Sequence, residues 1–85
     1  MKLFYTNSFK KDFKKLPDLI QNRTTQKIKL LVKNLSHPSL RVKKVQKYDG
    51  ILEGTINKNY RILFQITSDS IIFLRIGKHN ILEQI

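Results

Sequence analysis

Residues 51–76 read ILEGTINKNYRILFQITSDSIIFLRI, a run in which short apolar segments alternate with turn residues. Ile51–Ile56 predicts a strand, and Asn57–Asn59 predicts the hairpin turn that follows it. In Tyr60–Ile66 apolar residues occupy every second position, as in a strand with one buried face. After a second turn, Ile71–Ile76 is nearly continuously apolar, which indicates a strand that is central or covered by helices on one face. The stretch therefore predicts an antiparallel meander.

The N-terminal segment predicts a short strand followed by a short helix. Met1–Tyr5 is apolar and aromatic, which favours a strand. Thr6–Ser8 are residues that cap helix N-termini, because their side chains accept from free backbone N–H groups. The next apolar residues recur at helical spacing: Phe9, Phe13 and Leu16. Lysines lie between them, so this helix has a basic outer face, and Pro17 ends it.

A second helix is predicted directly after Pro17. Asp18 followed by Gln21 resembles a capping box at its start. One stripe then runs along the helix: Thr24, Ile28, Leu31 and Leu35. The segment 36–38 closes the helix, because a residue before proline disfavours the helical conformation. Since the connection between the two helices is short, we expect an antiparallel helical hairpin.

The segment between the hairpin and the meander, Leu40–Lys47, is basic and fits either a strand or an extended arm. The order of the elements predicts a single α+β domain over residues 1–85. In it, an N-terminal strand and a helical hairpin pack on an antiparallel sheet of three or four strands.

Composition and charge limit the classes of protein to which the chain can belong. Its 85 residues include 17 Lys and Arg against 6 Asp and Glu, a formal net charge of +11. Cysteine is absent, which excludes disulfides and Cys-based zinc sites. No apolar run approaches the roughly 20 residues that span a bilayer, so we expect a soluble cytoplasmic protein. The charge favours a polyanionic partner (nucleic acid, a ribosome, an acidic protein or an anionic membrane surface) over a merely well-solvated surface.

The residue types available for catalysis suit phosphate chemistry. The sequence has no GxSxG, HExxH or P-loop motif. Its two His and six carboxylates lack the spacing of metal ligands, so we expect neither a metal nor a cofactor. Arg offers a planar fork of donors to phosphate oxygens, and His exchanges protons near physiological pH.

Three residues are candidates for such a site. His79 follows the last apolar strand, where functional side chains are often displayed, and an exposed loop histidine is the alternative. Arg61 lies on the alternating strand. If the apolar alternate residues are buried, Arg61 points to the opposite face, where Leu63 and Gln65 are expected to make a mixed surface. An ordinary exposed arginine is the alternative there. Glu53, on the preceding strand, is expected beside Arg61, where a simple cross-strand ion pair worth less than about 1 kcal/mol is the alternative.

Two further features of the sequence are basic or polar without a clear catalytic pattern. His37 precedes Pro38 and is expected to satisfy the end of the second helix. A basic cluster beside Tyr48 suits contact with an RNA or DNA backbone: Arg41, Lys43, Lys44 and Lys47.

Four runs of the sequence together resemble the RelE/ParE superfamily of toxins from type II toxin–antitoxin systems. They are HPSLRVKK at 37–44, ILE at 51–53, YRILF at 60–64 and LRIGKHNIL at 74–82. The resemblance covers nearly the whole chain and implies a bacterial or archaeal toxin with a fold like that of small microbial RNases. It implies that a member of the RelE branch enters the A site of the 30S ribosomal subunit and cuts mRNA. The nucleophile would be a ribose 2′-hydroxyl, and no metal would be needed.

The resemblance also implies roles for the candidate residues. Arg61, in the family's Tyr-Arg pattern, would hold the scissile phosphate and stabilise the charge of the transition state. His79 would act as general acid on the 5′-oxygen leaving group. Glu53 would be the base for the 2′-hydroxyl.

The sequence departs from the family pattern at two places. The lysine pair of RelE is replaced by Leu52 and Gly54, and residues 80–85 hold no aromatic side chain. Either the site is assembled differently, with Lys58, Lys78 or Tyr60, or the activity is weak. Lys58 and Lys78 are also predicted to bind RNA phosphates, together with the basic cluster 41–47.

The implied partners are mRNA, ribosomal RNA and a cognate antitoxin with an acidic binding segment, and no membrane partner is expected. Two alternatives remain within the same resemblance. One is a ParE-like toxin that inhibits DNA gyrase without cutting RNA, and the other is an inactive nucleic-acid-binding relative.

Overall fold

The computed structural model describes the backbone of residues 1–84 and the side chains of residues 1–81. Its strands are β1 (Lys2–Tyr5), β2 (Lys43–Lys44), β3 (Leu52–Thr55), β4 (Tyr60–Ile66) and β5 (Ser70–Lys78). Its α-helices are α1 (Asn7–Lys14) and α2 (Asp18–Lys33), and two 3-10 helices span Pro38–Leu40 and His79–Gln84. The predicted domain ends at Ile85, which lies outside the described residues.

The strands form one mixed sheet in the order β1-β5-β4-β3-β2. Strands β2 to β5 are antiparallel neighbours, as the meander predicts. Strand β1 is parallel to β5, with Leu3 opposite Ile71. The predicted α+β class is confirmed, and β2 to β5 are the four antiparallel strands of the predicted sheet. The difference from the prediction is that the N-terminal strand joins the same sheet as a parallel fifth strand, which makes the sheet mixed. The helical hairpin carries the chain from β1 across one face of the sheet to the far edge, so the returning meander places β5 beside β1.

Helix α1 begins where the sequence predicts, and its apolar side is buried as predicted. The Thr6 side chain accepts a hydrogen bond from the Phe9 N–H at 3.0 Å and caps the helix. Phe9 and Leu16 are buried in the core between the helices and the sheet, and Phe13 packs against them.

The start of α2 differs from the predicted capping box. Pro17 occupies the N-cap position, and no side chain caps the helix there. The Gln21 amide instead donates to the Phe13 carbonyl at 2.9 Å and to the Leu16 carbonyl at 3.3 Å. The carbonyls at and just past the end of α1 lack the regular partners of a helix interior, and Gln21 provides them with a donor. Beyond this start, Thr24, Ile28 and Leu31 are buried as predicted, whereas Leu35 lies past the helix and is exposed.

The sheet buries apolar residues on both faces. Ile62 and Phe64 pack under the helices, as predicted for that face of β4. Leu63 points to the opposite face and is fully buried with Val45, Ile51 and Ile81. The expectation of a mixed surface around Leu63 is therefore wrong, because the loop before β3 and the C-terminal 3-10 helix cover that face. In the predicted segment Leu40–Lys47, only Lys43–Lys44 pairs as a strand.

Helix α1 also closes the edge of β5 beyond the end of β1. Strand β1 pairs with β5 only as far as Phe73. Past that point, Asp12 accepts from the Ile76 N–H at 3.2 Å and from Arg75 at 2.7 Å (Nε) and 3.0 Å (Nη2). The hydrogen bond with Asp12 raises the pKa of Arg75 above its ordinary value, and the carboxylate charge adds to this, while burial works against it. The pair fixes the last third of β5, which leads directly into the candidate site.

None of the helices that the structure describes is long and apolar enough to cross a membrane.

Candidate functional site at the β3–β4 hairpin

Arg61 is anchored on the backbone of its own hairpin. The turn between β3 and β4 is held by the Asn57 side chain, which accepts from the N–H groups of Asn59 at 2.8 Å and Tyr60 at 3.0 Å. The Arg61 Nη1 donates to the Asn57 carbonyl at 2.6 Å and to the Tyr60 carbonyl at 3.0 Å. Its side chain keeps 22% of its surface exposed. Among residues with described side chains, none accepts a hydrogen bond from Nη2, so the donors of that group are left for a ligand.

Glu53 lies on the same face of the sheet as Arg61. Its Oε1 is 3.6 Å from the Arg61 Nε and 3.8 Å from the Lys43 Nζ. Only 9% of the Glu53 side chain is exposed, and a carboxylate so far buried is normally paired with a cation. The structure thus brings Glu53 and Arg61 together as the sequence predicts, and it adds Lys43 from β2 on the other side of the carboxylate.

His79 begins the C-terminal 3-10 helix next to the hairpin turn. Its N–H donates to the Asn59 carbonyl at 3.1 Å. In the β4–β5 ladder, Arg61 lies opposite Gly77 and Tyr60 opposite Lys78, so the end of β5 runs beside the start of β4. The His79 side chain is exposed and makes no hydrogen bond or ion pair with any residue whose side chain is described. The structure therefore places His79 and Arg61 at one end of the sheet without joining their side chains.

Gly77 allows the chain to fold back over the sheet after β5. A Cβ at this position would lie 2.9 Å from the Ile81 Cδ1, closer than real Cβ contacts. Ile81 in turn packs on Leu63, and this contact holds the C-terminal 3-10 helix against the face that carries Arg61. The glycine thus leaves room for the Ile81 side chain where the chain turns back beside the hairpin.

The residues predicted to bind phosphate fall into two groups. Lys58 lies in the hairpin turn and Lys78 at the end of β5, both exposed and both at the Arg61 end of the sheet. The others lie on or beside β2 at the far edge: Arg41, Lys43, Lys44 and Lys47. Of that cluster, Lys43 reaches Glu53, and Lys47 has its Nζ 5.8 Å from the centre of the Tyr48 ring. The cluster is therefore linked to the Arg61 site through Lys43.

His37 caps the 3-10 helix that follows α2. Its Nδ1 accepts from the Ser39 N–H at 3.2 Å and lies 2.9 Å from the Ser39 Oγ. The backbone N–H of His37 donates to the carbonyl of Asn34, the residue just past the end of α2, in line with the expected role at the end of that helix.

Sequence reasoning missed the contact between Asp12 and Arg75. The signal is visible in retrospect, because Asp12 is an acid on a helix otherwise rich in lysine and Arg75 is a cation in the apolar run 71–76. The contact shapes the cleft that lies beside Tyr60 and Lys78. Among the described residues, no group of three or more His, Asp or Glu side chains lies close enough together to hold a metal ion.

Comparison with known proteins identifies the family to which this architecture belongs. The sequence model for the ParE toxin of the type II toxin–antitoxin system, parDE, matches residues 3–82. The chain belongs to this toxin family. Both the Arg61 hairpin and the strand end that carries His79 lie within the match.

Solved structures of toxins share the fold over nearly the whole chain. YafQ from E. coli strain BL21(DE3) is 22% identical, with a TM-score of 0.79 over 95% of this chain and 96% of that one. The RelB–RelE antitoxin–toxin complex from Methanococcus jannaschii gives 25% identity and a TM-score of 0.77 over 95% of each chain. The YoeB/ParE toxin from Agrobacterium tumefaciens is 13% identical, with a TM-score of 0.80 over 93% of this chain and 99% of that one. Among curated proteins, none matches the sequence significantly.

Proposed function

We propose that this toxin cuts mRNA on the ribosome, by attack of a ribose 2′-hydroxyl on the adjacent phosphate and without a metal ion. The observation that carries the proposal is the location of Arg61 and His79 at one end of the sheet, where the His79 N–H donates to the hairpin carbonyl of Asn59. Cleavage of this kind needs a cation on the phosphate oxygens and a proton donor for the leaving oxygen, and these are the two groups present. The resemblance to the RelE branch implies the same reaction.

Arg61 is suited to stabilise a phosphate whose charge grows during the reaction. Its guanidinium is held by two backbone carbonyls and by Glu53, so it does not need to reorganise when charge develops. The Nη2 donors that remain can bind the phosphate oxygens. His79, exposed and next to the same turn, would protonate the 5′-oxygen as it leaves.

For Glu53 the geometry favours positioning over proton abstraction. The carboxylate lies between Lys43 and Arg61 with 9% of its side chain exposed, which limits its access to a 2′-hydroxyl. We therefore propose that Glu53 holds Arg61 in place, and we assign no protein group as the base.

The proposed partners follow from the family and the charge. A toxin of a type II system is neutralised by binding to a cognate antitoxin, and the relative from Methanococcus jannaschii was solved bound to its antitoxin RelB. A formal charge of +11 suits an antitoxin segment rich in acidic residues as well as mRNA and ribosomal RNA. Action on translating ribosomes would take place in the cytoplasm.

A second candidate function is inhibition of DNA gyrase without RNA cleavage. The observation that favours it is the family description itself, which is that of the ParE toxin. Under this alternative, Arg61 and His79 would serve as parts of a binding surface.

The two functions predict different events in cells. We would induce the toxin and map mRNA 5′ ends by primer extension, with and without a block on translation. RNA cleavage predicts cuts within codons that vanish when translation is blocked. An SOS response with intact mRNA would contradict the proposal and support gyrase inhibition.

Matched variants test the assigned residues in the same experiment. His79→Gln should abolish the cuts, whereas His37→Gln, which changes the other histidine, should leave them. Arg61→Lys keeps the charge but loses the donor fork, and a reduction of about 100-fold or more in cleavage is expected. Full cleavage by a folded His79→Gln or Arg61→Lys protein would show that the site is assigned wrongly.

A further inference from the structure

A shallow cleft lies along the edge of β5, at the same end of the sheet as Arg61. It has a volume of about 420 Å³ and opens between the end of α1, the start of β4 and the end of β5. Its polar and aromatic lining comes from Lys15, Tyr60, Lys78 and Asn80. Lys15, Lys78 and Asn80 are exposed, and Tyr60 is half-buried against the helix-side core.

The described side chains give the cleft a positive charge. Asp12 and Arg75 form part of its wall and are joined by hydrogen bonds of 2.7 and 3.0 Å. The other charged side chains that the structure describes in the lining are Lys15 and Lys78. A ligand of this cleft is therefore expected to be an anion.

The aromatic part of the lining narrows the class of ligand. Tyr60 contributes an aromatic ring to the same lining as Lys15 and Lys78, and the Asn80 side chain supplies both a donor and an acceptor. A nucleotide combines the matching groups, since its phosphate pairs with lysine and its base stacks on an aromatic ring. A free inorganic phosphate would leave the Tyr60 side of the cleft unused.

The sequence neighbours of these residues connect the cleft to the proposed site. Tyr60 precedes Arg61, and Lys78 precedes His79. Neighbouring residues of a strand point to opposite faces, so Tyr60 and Arg61 lie on the two sides of one sheet end. A polynucleotide that crosses this end can touch both sides.

We infer that this cleft binds the phosphate and base of a nucleotide adjacent to the scissile one, with Lys15 and Lys78 on the phosphate and Tyr60 on the base. The inference rests on the proposed function, because it takes the scissile phosphate to lie at Arg61. It extends the site to α1, whose Lys15 is otherwise one lysine among many on a basic helix.

The test measures binding separately from cleavage. We would titrate the folded protein into a fluorescent 2′-O-methyl oligoribonucleotide, which has no free 2′-hydroxyl and cannot be cut by the proposed reaction, and follow anisotropy at several salt concentrations. Lys15→Gln and Lys78→Gln are each expected to weaken binding about tenfold, the effect of losing one hydrogen bond between charged groups. Each should also reduce the magnitude of the slope of log affinity against log salt by about 0.7, the value for one phosphate contact on a single strand.

Lys11→Gln is the matched control, since it removes the same charge from the same helix at an exposed position outside the cleft. It is expected to cost no more than about twofold. Equal affinities for Lys15→Gln and Lys11→Gln would overturn the inference, because they would mean that α1 contributes only general charge.

Tyr60→Leu tests the base contact. It should weaken binding at least about fivefold while leaving the salt slope unchanged. Full affinity in this variant would mean that the cleft recognises charge alone, as an acidic peptide would supply, and would contradict the assignment to a nucleotide. If the wild-type protein cuts no mRNA in cells but the variants weaken oligonucleotide binding as expected, the proposed function is contradicted and the assignment of the cleft stands.

Discussion

Removing the Asp12 carboxylate should destabilise the protein more than removing any exposed acid. In the folded protein the carboxylate accepts from the Arg75 side chain at 2.7 and 3.0 Å and from the Ile76 N–H at 3.2 Å. These are the contacts that replace a neighbouring strand along the edge of β5. Asp12→Ala would leave the Arg75 guanidinium and a backbone N–H without the carboxylate that they share.

These contacts determine how much unfolding free energy Asp12→Ala should lose. Breaking a buried ion pair by removing one partner costs about 3–5 kcal/mol, and a hydrogen bond to a charged group contributes about 1.5–3 kcal/mol. Here 14% of the Asp12 side chain and 19% of the Arg75 side chain remain exposed, so water can satisfy part of what is lost. We therefore expect Asp12→Ala to lower the free energy of unfolding by about 2–4 kcal/mol. In a domain of this size that corresponds to a fall of roughly 10–25 °C in melting temperature.

The assay is urea unfolding followed by far-UV circular dichroism, with the midpoint and slope fitted for each variant. Asp12→Asn keeps an acceptor for the Ile76 N–H but loses the charge, and should fall between wild type and Asp12→Ala. Asp18→Ala is the control, because Asp18 is an exposed acid in the first turn of α2. Its loss should cost about 0.3–1 kcal/mol. Equal losses of unfolding free energy for Asp12→Ala and Asp18→Ala would mean that Asp12 does not stabilise the edge of β5. If Asp12→Ala does not fold, Asp12→Asn is compared with Asp18→Ala instead.

Two further predictions concern the ends of α1 and β5. Thr6→Ala removes the oxygen that accepts from the Phe9 N–H and donates to the Leu74 carbonyl at 2.8 Å, so it should cost about 1–2 kcal/mol in thermal unfolding. Thr6→Ser should keep most of this stability, and equal melting temperatures for wild type and Thr6→Ala would contradict the capping role. Gly77→Val places a branched side chain where even a Cβ would lie 2.9 Å from Ile81, and overpacking of this kind costs about 1–3 kcal/mol. Gly77→Ala should cost less, and a Gly77→Val protein as stable as wild type would show that the C-terminal 3-10 helix does not depend on the glycine.

The parts of the fold that follow local patterns were predictable. The turn at Asn57–Asn59 and the alternation along β4 determine the hairpin. In a strand of period two, these features set the pairing register and the face of the sheet on which each side chain lies. The parallel pairing of β1 with β5 was not predictable in the same way, since no local pattern shows which edge an N-terminal strand will join. The wrong capping box has a similar origin, because Gln21 binds carbonyls of the preceding helix that only the tertiary structure brings within reach.

The candidate site was likewise predictable only where it depends on local sequence patterns. That Glu53 lies beside Arg61 follows from the hairpin and its short turn. The burial of Glu53 and its second contact with Lys43 depend on how β2 and the neighbouring loop cover the sheet, which the sequence pattern does not show. The catalytic roles of Arg61 and His79 and the positioning role of Glu53 remain predictions.

The most direct test of the central claim uses ribosomes programmed with a short mRNA that carries a codon cut in cells. The purified toxin is added to this mRNA and to a copy with a single 2′-deoxy nucleotide on the 5′ side of the mapped cut. Attack by the 2′-hydroxyl predicts cleavage of the all-ribose mRNA to a 2′,3′-cyclic phosphate and a 5′-hydroxyl, and no cleavage of the deoxy copy at that position. Cleavage of the deoxy copy, or no cleavage of either mRNA by a folded protein, would contradict it.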